Sequence, residues 1–68
     1  MREIQKNTLD VIRIQKTKYK GHDLVDIRVY VEDKHGEKIP TGRGITFKVD
    51  LLDKVISALE EIRKEGVV

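Results

Sequence analysis

Residues 24–32 read Leu-Val-Asp-Ile-Arg-Val-Tyr-Val-Glu, and from Val25 onward apolar and polar side chains alternate. An alternation with a period of two, carried by β-branched residues, predicts a half-buried strand. Its apolar side consists of Val25, Ile27, Val29 and Val31, and its polar side consists of Asp26, Arg28, Tyr30 and Glu32. The stretch therefore predicts a sheet with one apolar face and one charged face.

The flanking sequence predicts further strands on both sides of this one. Residues 8–18 alternate from Val11 onward, and glycine-containing turns at residues 20–23 and 33–37 join consecutive strands. A short strand is expected at residues 38–40, where Pro40 limits it to an edge or a bend, and a second piece at 45–47. The polar residues 1–7 are expected to form a loose arm, and residues 8–68 the domain.

The C-terminal part of the chain predicts one amphipathic helix. Its apolar residues follow helical spacing: Leu51, Leu52, Val55, Ile56, Leu59 and Ile62. Asp50 is expected to cap the helix, and Gly66 to end it. One side of the helix and one face of the sheet are both apolar. We therefore expect the helix to cover the apolar face of the sheet, leaving the charged face open. The fold class is α+β.

Size and composition limit what holds the domain together. A chain of 68 residues forms one domain of marginal stability, and it has no cysteine for a disulfide or thiolate metal site. Self-association is therefore the expected source of extra buried area. No apolar run is long enough to span a membrane, so the sequence predicts a cytoplasmic protein without a membrane partner.

The charge distribution favours a polyanionic partner over catalysis. Residues 1–48 hold 11 basic and 7 acidic residues, a net +4, whereas residues 49–68 hold 3 and 5, a net −2. A basic sheet face is a plausible phosphate-binding surface, and the alternative is an ordinary solvated face. His22 and His35 lie in turns without metal-site spacing, and the dispersed carboxylates lack a pocket. We expect no enzyme activity, cofactor, metal or small-molecule substrate.

Several segments, in order, resemble the single-stranded-DNA-binding domain of the transcriptional positive cofactor 4 family, in its short bacterial form. These segments are Tyr19-Lys20-Gly21, Leu24 to Tyr30, Gly36-Glu37 and Pro40 to Ile45. The resemblance covers about residues 11–62. It implies a curved antiparallel four-stranded sheet followed by one helix, a homodimer joined partly through the helices, and single-stranded DNA across the sheets.

The resemblance also implies residue roles. Tyr19 matches a base-stacking aromatic, Lys20 a phosphate contact, Arg28 a basic strand contact and Arg43 a basic residue of the glycine-rich segment, while Lys38 is offset by one. Two positions depart from the pattern: Val31 replaces a stacking Trp and His22 replaces a Lys, so Tyr30 and Lys18 are candidates to compensate. The complete predicted site is Arg13, Lys18, Tyr19, Lys20, Arg28, Tyr30, Lys38 and Arg43.

The sequence thus predicts a sequence-tolerant single-stranded DNA-binding homodimer, with RNA as a second ligand class. Its setting is transcription, replication or repair, in the cytoplasm or at a bacterial nucleoid. The alternative is a protein–protein adaptor that uses the open sheet face or a sheet edge. Salt dependence separates the two, because phosphate contacts give a steep loss of affinity with salt.

Overall fold

The computed structural model describes residues 2–66, which form one antiparallel sheet followed by a helix. Strand β1 spans Arg2–Gln5, β2 Asp10–Tyr19, β3 His22–Glu32 and β4 Lys38–Lys48. A 3₁₀ turn, Val49–Leu51, leads into helix α1, Leu52–Lys64. The strands pair in chain order, β1-β2-β3-β4, with β1 and β4 at the edges. The predicted four-stranded antiparallel sheet with one C-terminal helix is confirmed.

The N-terminal segment is a strand and not a loose arm. Arg2–Gln5 pairs antiparallel with β2, placing Ile4 beside Ile12 and Glu3 beside Arg13. Asn7 builds the connection, because its side-chain oxygen accepts hydrogen bonds from the backbone N–H groups of Leu9 at 3.0 Å and Asp10 at 2.9 Å. The expectation of a loose arm was wrong over residues 2–7, because it overlooked this asparagine turn and the pairing of Ile4, while Met1 lies outside the described residues.

Strand β4 is continuous over the segment that we expected to be broken. Its register with β3 shifts between Arg28, which pairs with Gly44, and Tyr30, which pairs with Pro40. The extra residues form a bulge, which bends the strand and increases its twist. Pro40 is tolerated because β4 lies at the edge of the sheet.

Pairing partners share a face, so the register divides the sheet into two faces. The face that we call the apolar face carries Ile4, Ile12, Ile14, Val25, Ile27, Val29, Val31, Ile39, Ile45 and Phe47. Only two of these, Val25 and Phe47, are buried, while Ile39 is 44% exposed and Ile45 is 59% exposed. A single subunit therefore leaves much of the apolar face uncovered.

Helix α1 does not cover the apolar face as we expected. None of its residues is buried, and Ile56, Leu59 and Ile62 are each about half exposed or more, at 46%, 58% and 46%. Between the start of the helix and the sheet lies an open groove of about 490 Å³, lined in part by Ile14, Val25 and Ile56. The expectation failed because one 13-residue helix, meeting the sheet only near its start, cannot span all the apolar side chains of four strands.

The two predicted ends of the helix have different outcomes: the predicted cap is absent, and the predicted glycine ending is present. Asp50 lies in the 3₁₀ turn and makes no capping hydrogen bond, so its predicted role was wrong. Gly66 follows the helix with φ of 82°, and its N–H donates to the carbonyl of Arg63 at 3.2 Å. That left-handed glycine is a usual helix ending. No helix within residues 2–66 has the length and apolar character needed to cross a membrane.

Gly44 should be required for the close approach of β4 to β3. A Cβ at this position would lie 2.5 Å from the carbonyl oxygen of Ile27 and 2.8 Å from the Cα of Arg28. We expect Gly44→Ala to lower the free energy of unfolding by about 1–3 kcal/mol, because backbone must shift to admit the methyl group. Gly42→Ala is the matched control, since nothing lies within 4 Å of a Cβ there. Equal urea midpoints for the two variants would contradict the prediction.

Candidate nucleic-acid interface

The second face of the sheet, which we call the polar face, carries most of the predicted site. By register it presents Glu3, Arg13, Gln15, Thr17, Tyr19, Asp26, Arg28, Tyr30, Thr46 and Lys48. The helix and the 3₁₀ turn lie on the other side of the sheet. Their residues Val49, Leu52 and Ile56 line a groove together with the apolar-face residues Ile14 and Val25. The helix therefore leaves this face open to an extended ligand.

Two arginines lie directly opposite one another on the polar face. Arg13 of β2 pairs with Arg28 of β3. Like charges at directly opposite positions destabilise a sheet unless other groups compensate them. Here each guanidinium has its own carboxylate, Glu3 for Arg13 and Asp26 for Arg28. The pair therefore concentrates positive charge at the centre of the face while remaining compatible with folding.

Asp26 is a buried carboxylate that fixes Arg28. It is 8% exposed, and its Oδ1 accepts hydrogen bonds from the Thr46 hydroxyl at 2.8 Å and from Arg28 Nη2 at 3.2 Å. Arg28 Nη1 also donates to the carbonyl of Thr41 at 3.1 Å, within the β4 bulge. The guanidinium is thus held by side chain and backbone, and its remaining N–H groups have a defined direction.

The environment of Asp26 keeps its carboxylate ionised. Burial raises the pKa of Asp26, but hydrogen bonds from Thr46, Arg28 and Gln15 and the charge of Arg28 outweigh burial, so the pKa lies below its ordinary value of 3.8. A carboxylate that accepts several hydrogen bonds in its charged form is expected to titrate low. The anchor of Arg28 is therefore charged throughout the neutral range.

Arg13 is held over an aromatic ring. Its Cζ atom lies 4.4 Å from the centroid of the Tyr30 ring, a cation–π distance. Its Nε donates to the Glu3 carboxylate at the same time. Tyr30 therefore packs on the polar face beneath an arginine, and the ring holds the cation in place there.

Tyr19 and Lys20 stand at the tip of the β2–β3 hairpin. Tyr19 pairs with His22, and the two residues between them have positive φ, 51° at Lys20 and 80° at Gly21. Positive φ at both central residues is the pattern of a type I′ hairpin turn, and a lysine in the first position is uncommon. Tyr19 is 63% exposed, with Lys20 Nζ 5.3 Å from its ring centroid. An aromatic ring and a cation thus project together from the tip.

The remaining predicted residues are not all on the polar face. Lys38 pairs with Glu32, on the same side as Tyr30. Lys18 instead pairs with Asp23 on the apolar-face side of β2, where its Nζ lies 3.9 Å from Asp23. Arg43 lies in the β4 bulge and makes an ion pair with Asp10 at 3.6 Å; Asp10 pairs with Val31 on the apolar face. The structure therefore groups Arg13, Arg28 and Tyr30 closely, and separates Lys18 and Arg43 from them.

Val31, which the resemblance sets at the position of a stacking tryptophan, pairs with Ile39 on the apolar face. Sequence reasoning missed Glu3, Thr46 and the carbonyl of Thr41 as parts of the site. Thr46 lies two residues after Gly44 and therefore on the same face of β4. A correct prediction of the β4 register would have placed it beside Asp26. Within the described part of the chain, no group of three or more His, Asp or Glu side chains could hold a metal ion.

Loss of the Asp26 charge should change the dependence of stability on pH. The folded-state pKa of Asp26 is lowered, so its contribution is present above 3.8 and is lost as pH falls through the folded-state value. We expect Asp26→Asn to be less stable than the parent at pH 7 and the difference to shrink below pH 3.8, measured by urea unfolding. Asp53→Asn, on the exposed helix surface, controls for the loss of one negative charge. A difference that stays constant with pH would contradict the prediction.

Comparison with known proteins identifies the family and the fold. The family model described as transcriptional coactivator p15 (PC4) matches residues 6–58. An orthorhombic crystal structure of a PC4 homologue from Burkholderia pseudomallei is 36% identical, with a TM-score of 0.89 over 97% of this chain and 89% of that one. The tetragonal form is 35% identical, with a TM-score of 0.84 over 93% of each chain.

A more distant structure shares the fold alone. It is a bacteriophage T5 homologue of the eukaryotic coactivator PC4, implicated in recombination-dependent DNA replication, and it is 22% identical. Its TM-score is 0.77 over 96% of this chain and 78% of that one. No curated protein matches the chain. Since the family model spans most of the sequence and the Burkholderia structures match it over nearly its whole length, the chain belongs to the PC4 family.

Proposed function

We propose that the polar face binds single-stranded DNA without strong sequence preference, and that RNA is a second ligand class. The observation that carries this proposal is the cluster of Arg13, Arg28 and Tyr30 on an uncovered sheet face, with the exposed ring of Tyr19 at one end of it. Single-strand binding surfaces combine cations for the phosphates with aromatic rings for the bases. Membership of the PC4 family supports the same function.

Each part of the cluster has a distinct task in this proposal. Arg28 presents a fixed guanidinium, because Asp26 and Thr41 already hold it, so little side-chain entropy is lost when a phosphate binds. Tyr19 offers an exposed ring for stacking, and Lys20 beside it supplies a mobile cation. Phosphate contacts and ring stacking carry no direct sequence information, so we expect tolerance of sequence.

Unpaired strands should be preferred over duplex. Stacking on Tyr19 requires the flat face of a base, which a duplex hides between neighbouring base pairs. A role in transcription, replication or repair follows from such binding, and in a bacterial cell it would associate the protein with the nucleoid.

We further propose that the active form is a homodimer. Ile56, Leu59 and Ile62 of the helix and Ile39 and Ile45 of β4 are all at least 44% exposed in one subunit. The uncovered helix stripe and the groove beside it present more apolar surface than a monomer of this size usually leaves in water. A second copy, offering the same helix, would bury both stripes in an isologous contact.

The DNA proposal predicts that stacking and charge can be separated by mutation. Single-stranded DNA should bind at least about tenfold more tightly than duplex. Tyr19→Ala should weaken binding by about 1–3 kcal/mol with little change in salt dependence, because it removes a ring and no charge. Lys20→Ala should reduce the slope of log affinity against log salt by about 0.7, the value for one single-strand phosphate contact.

The measurement is fluorescence anisotropy with labelled single strand, duplex and RNA at several salt concentrations. Lys64→Ala, in the last turn of the helix, controls for the loss of one positive charge. Arg28 is a poor probe because its removal strands the buried carboxylate of Asp26. Equal affinity for single strand and duplex, unaffected by Tyr19→Ala and Lys20→Ala, would reject the proposed site and favour the adaptor alternative, in which a protein partner uses the open sheet face or a sheet edge.

The dimer proposal predicts that a charge in the helix stripe abolishes association. We expect twice the subunit mass at micromolar concentration by light scattering, and the mass of one subunit for Ile56→Glu, because the interface would have to bury an unpaired carboxylate. Ser57→Glu adds the same charge outside the stripe and should remain dimeric. A parent protein that is monomeric at ten times that concentration would overturn the proposal.

A further inference from the structure

Strand β1 brings an acidic side chain onto the polar face. Its four residues, Arg2–Gln5, are all exposed, and the strand pairs only with β2. The register sets Glu3 directly opposite Arg13, and Arg13 in turn lies opposite Arg28. A carboxylate therefore stands at the edge of the most basic part of the face.

Glu3 occupies a donor of Arg13 that a phosphate could use. Its Oε2 lies 2.5 Å from Arg13 Nε, while Arg13 Cζ lies 4.4 Å from the centroid of the Tyr30 ring. Carboxylate and phosphate oxygens accept hydrogen bonds from a guanidinium in the same way. The two anions are therefore alternatives for the Nε–H of Arg13.

The two carboxylates next to the paired arginines differ in how firmly they are held. The side chain of Asp26 is 12% exposed and accepts hydrogen bonds from two strands, whereas that of Glu3 is 37% exposed and contacts only Arg13 among the ion pairs of residues 2–66. Displacing Asp26 would leave a buried charge without its partner, but Glu3 can turn into water at little cost. Glu3 is thus the replaceable member.

We propose that Glu3 is an intrachain competitor for phosphate at Arg13 and so sets the affinity of the polar face for single-stranded DNA. The inference rests on the proposed function and adds a residue that the predicted site did not contain. When DNA binds, the Glu3 side chain swings away from Arg13, while β1 remains paired with β2 and Arg13 remains on Tyr30. Each binding event at this position therefore exchanges one anion for another.

Glu3→Gln is the test, because it keeps the shape of the side chain and removes its charge. We expect single-stranded DNA to bind about two- to fivefold more tightly, which is what release of an exposed ion pair supplies. We also expect the slope of log affinity against log salt to steepen by up to about 0.7. In the variant the phosphate contact at Arg13 adds a charge contact, whereas in the parent it only replaces the ion pair with Glu3. The readout is anisotropy over a salt series, with thermal unfolding to verify that the sheet is intact.

Two further variants make the result specific to the Glu3–Arg13 pair. Glu61→Gln removes the same charge from the helix, and it should change affinity less than Glu3→Gln does. In an Arg13→Gln background, Glu3→Gln should give no gain in affinity, because the guanidinium for which Glu3 and the phosphate compete is absent. Equal effects of Glu3→Gln and Glu61→Gln, or a gain that persists without Arg13, would overturn the inference while leaving the proposed function standing. Absence of DNA binding by the parent and by Glu3→Gln alike would overturn both.

Discussion

Asp26 connects three strands of the sheet through one buried carboxylate. It pairs with Gln15 of β2 and Thr46 of β4, and it accepts hydrogen bonds from Thr46 and Arg28. A charge this deeply buried is stable only when such partners are in place. The register of β4 must therefore bring Thr46 to Asp26, and the bulge before Gly44 must return Thr41 to Arg28. The position of the Arg28 guanidinium is therefore a consequence of the hydrogen bonds that the buried Asp26 carboxylate requires.

The apolar face imposes a second constraint, which a single chain does not meet. Of its apolar residues only Val25 and Phe47 are buried, because Val11, the third buried apolar residue of 2–66, pairs with Tyr30 on the polar face. No large side chain of 2–66 is fully buried. One short helix leaves most of the apolar side chains of four strands uncovered, and the helix residues that line the groove beside the sheet, Leu52 and Ile56, lie in its first two turns. Folding and self-association are thus expected to be coupled, as in other small domains without disulfides or metals.

Local patterns of the sequence predicted the strands better than their pairing. The alternation around Ile27 gave the correct faces for β2 and β3, since a period of two needs no knowledge of neighbours. Strand β1 was missed because four polar-rich residues carry no periodicity, and their pairing depends on the turn at Asn7. Lys18 and Arg43 were placed in the site from a resemblance of motifs, whereas their orientation depends on strand parity and on a bulge. The family itself could be identified, because the order of several short motifs carries more information than any one of them.

The internal ion pairs also explain how a nearly neutral domain can present a basic face. Arg13, Arg28 and Arg43 each have a carboxylate within 4 Å, so their charges are partly balanced before any ligand arrives. The balance differs at each position, because the carboxylate of Asp26 is buried and fixed while that of Glu3 is exposed. Under the proposed function, a phosphate at Arg28 meets a guanidinium that Asp26 has already oriented, whereas a phosphate at Arg13 competes with Glu3 for the Nε–H. We therefore expect the two arginines to contribute unequally to binding, because the carboxylate beside Arg28 comes from its own strand β3 and the one beside Arg13 comes from the edge strand β1.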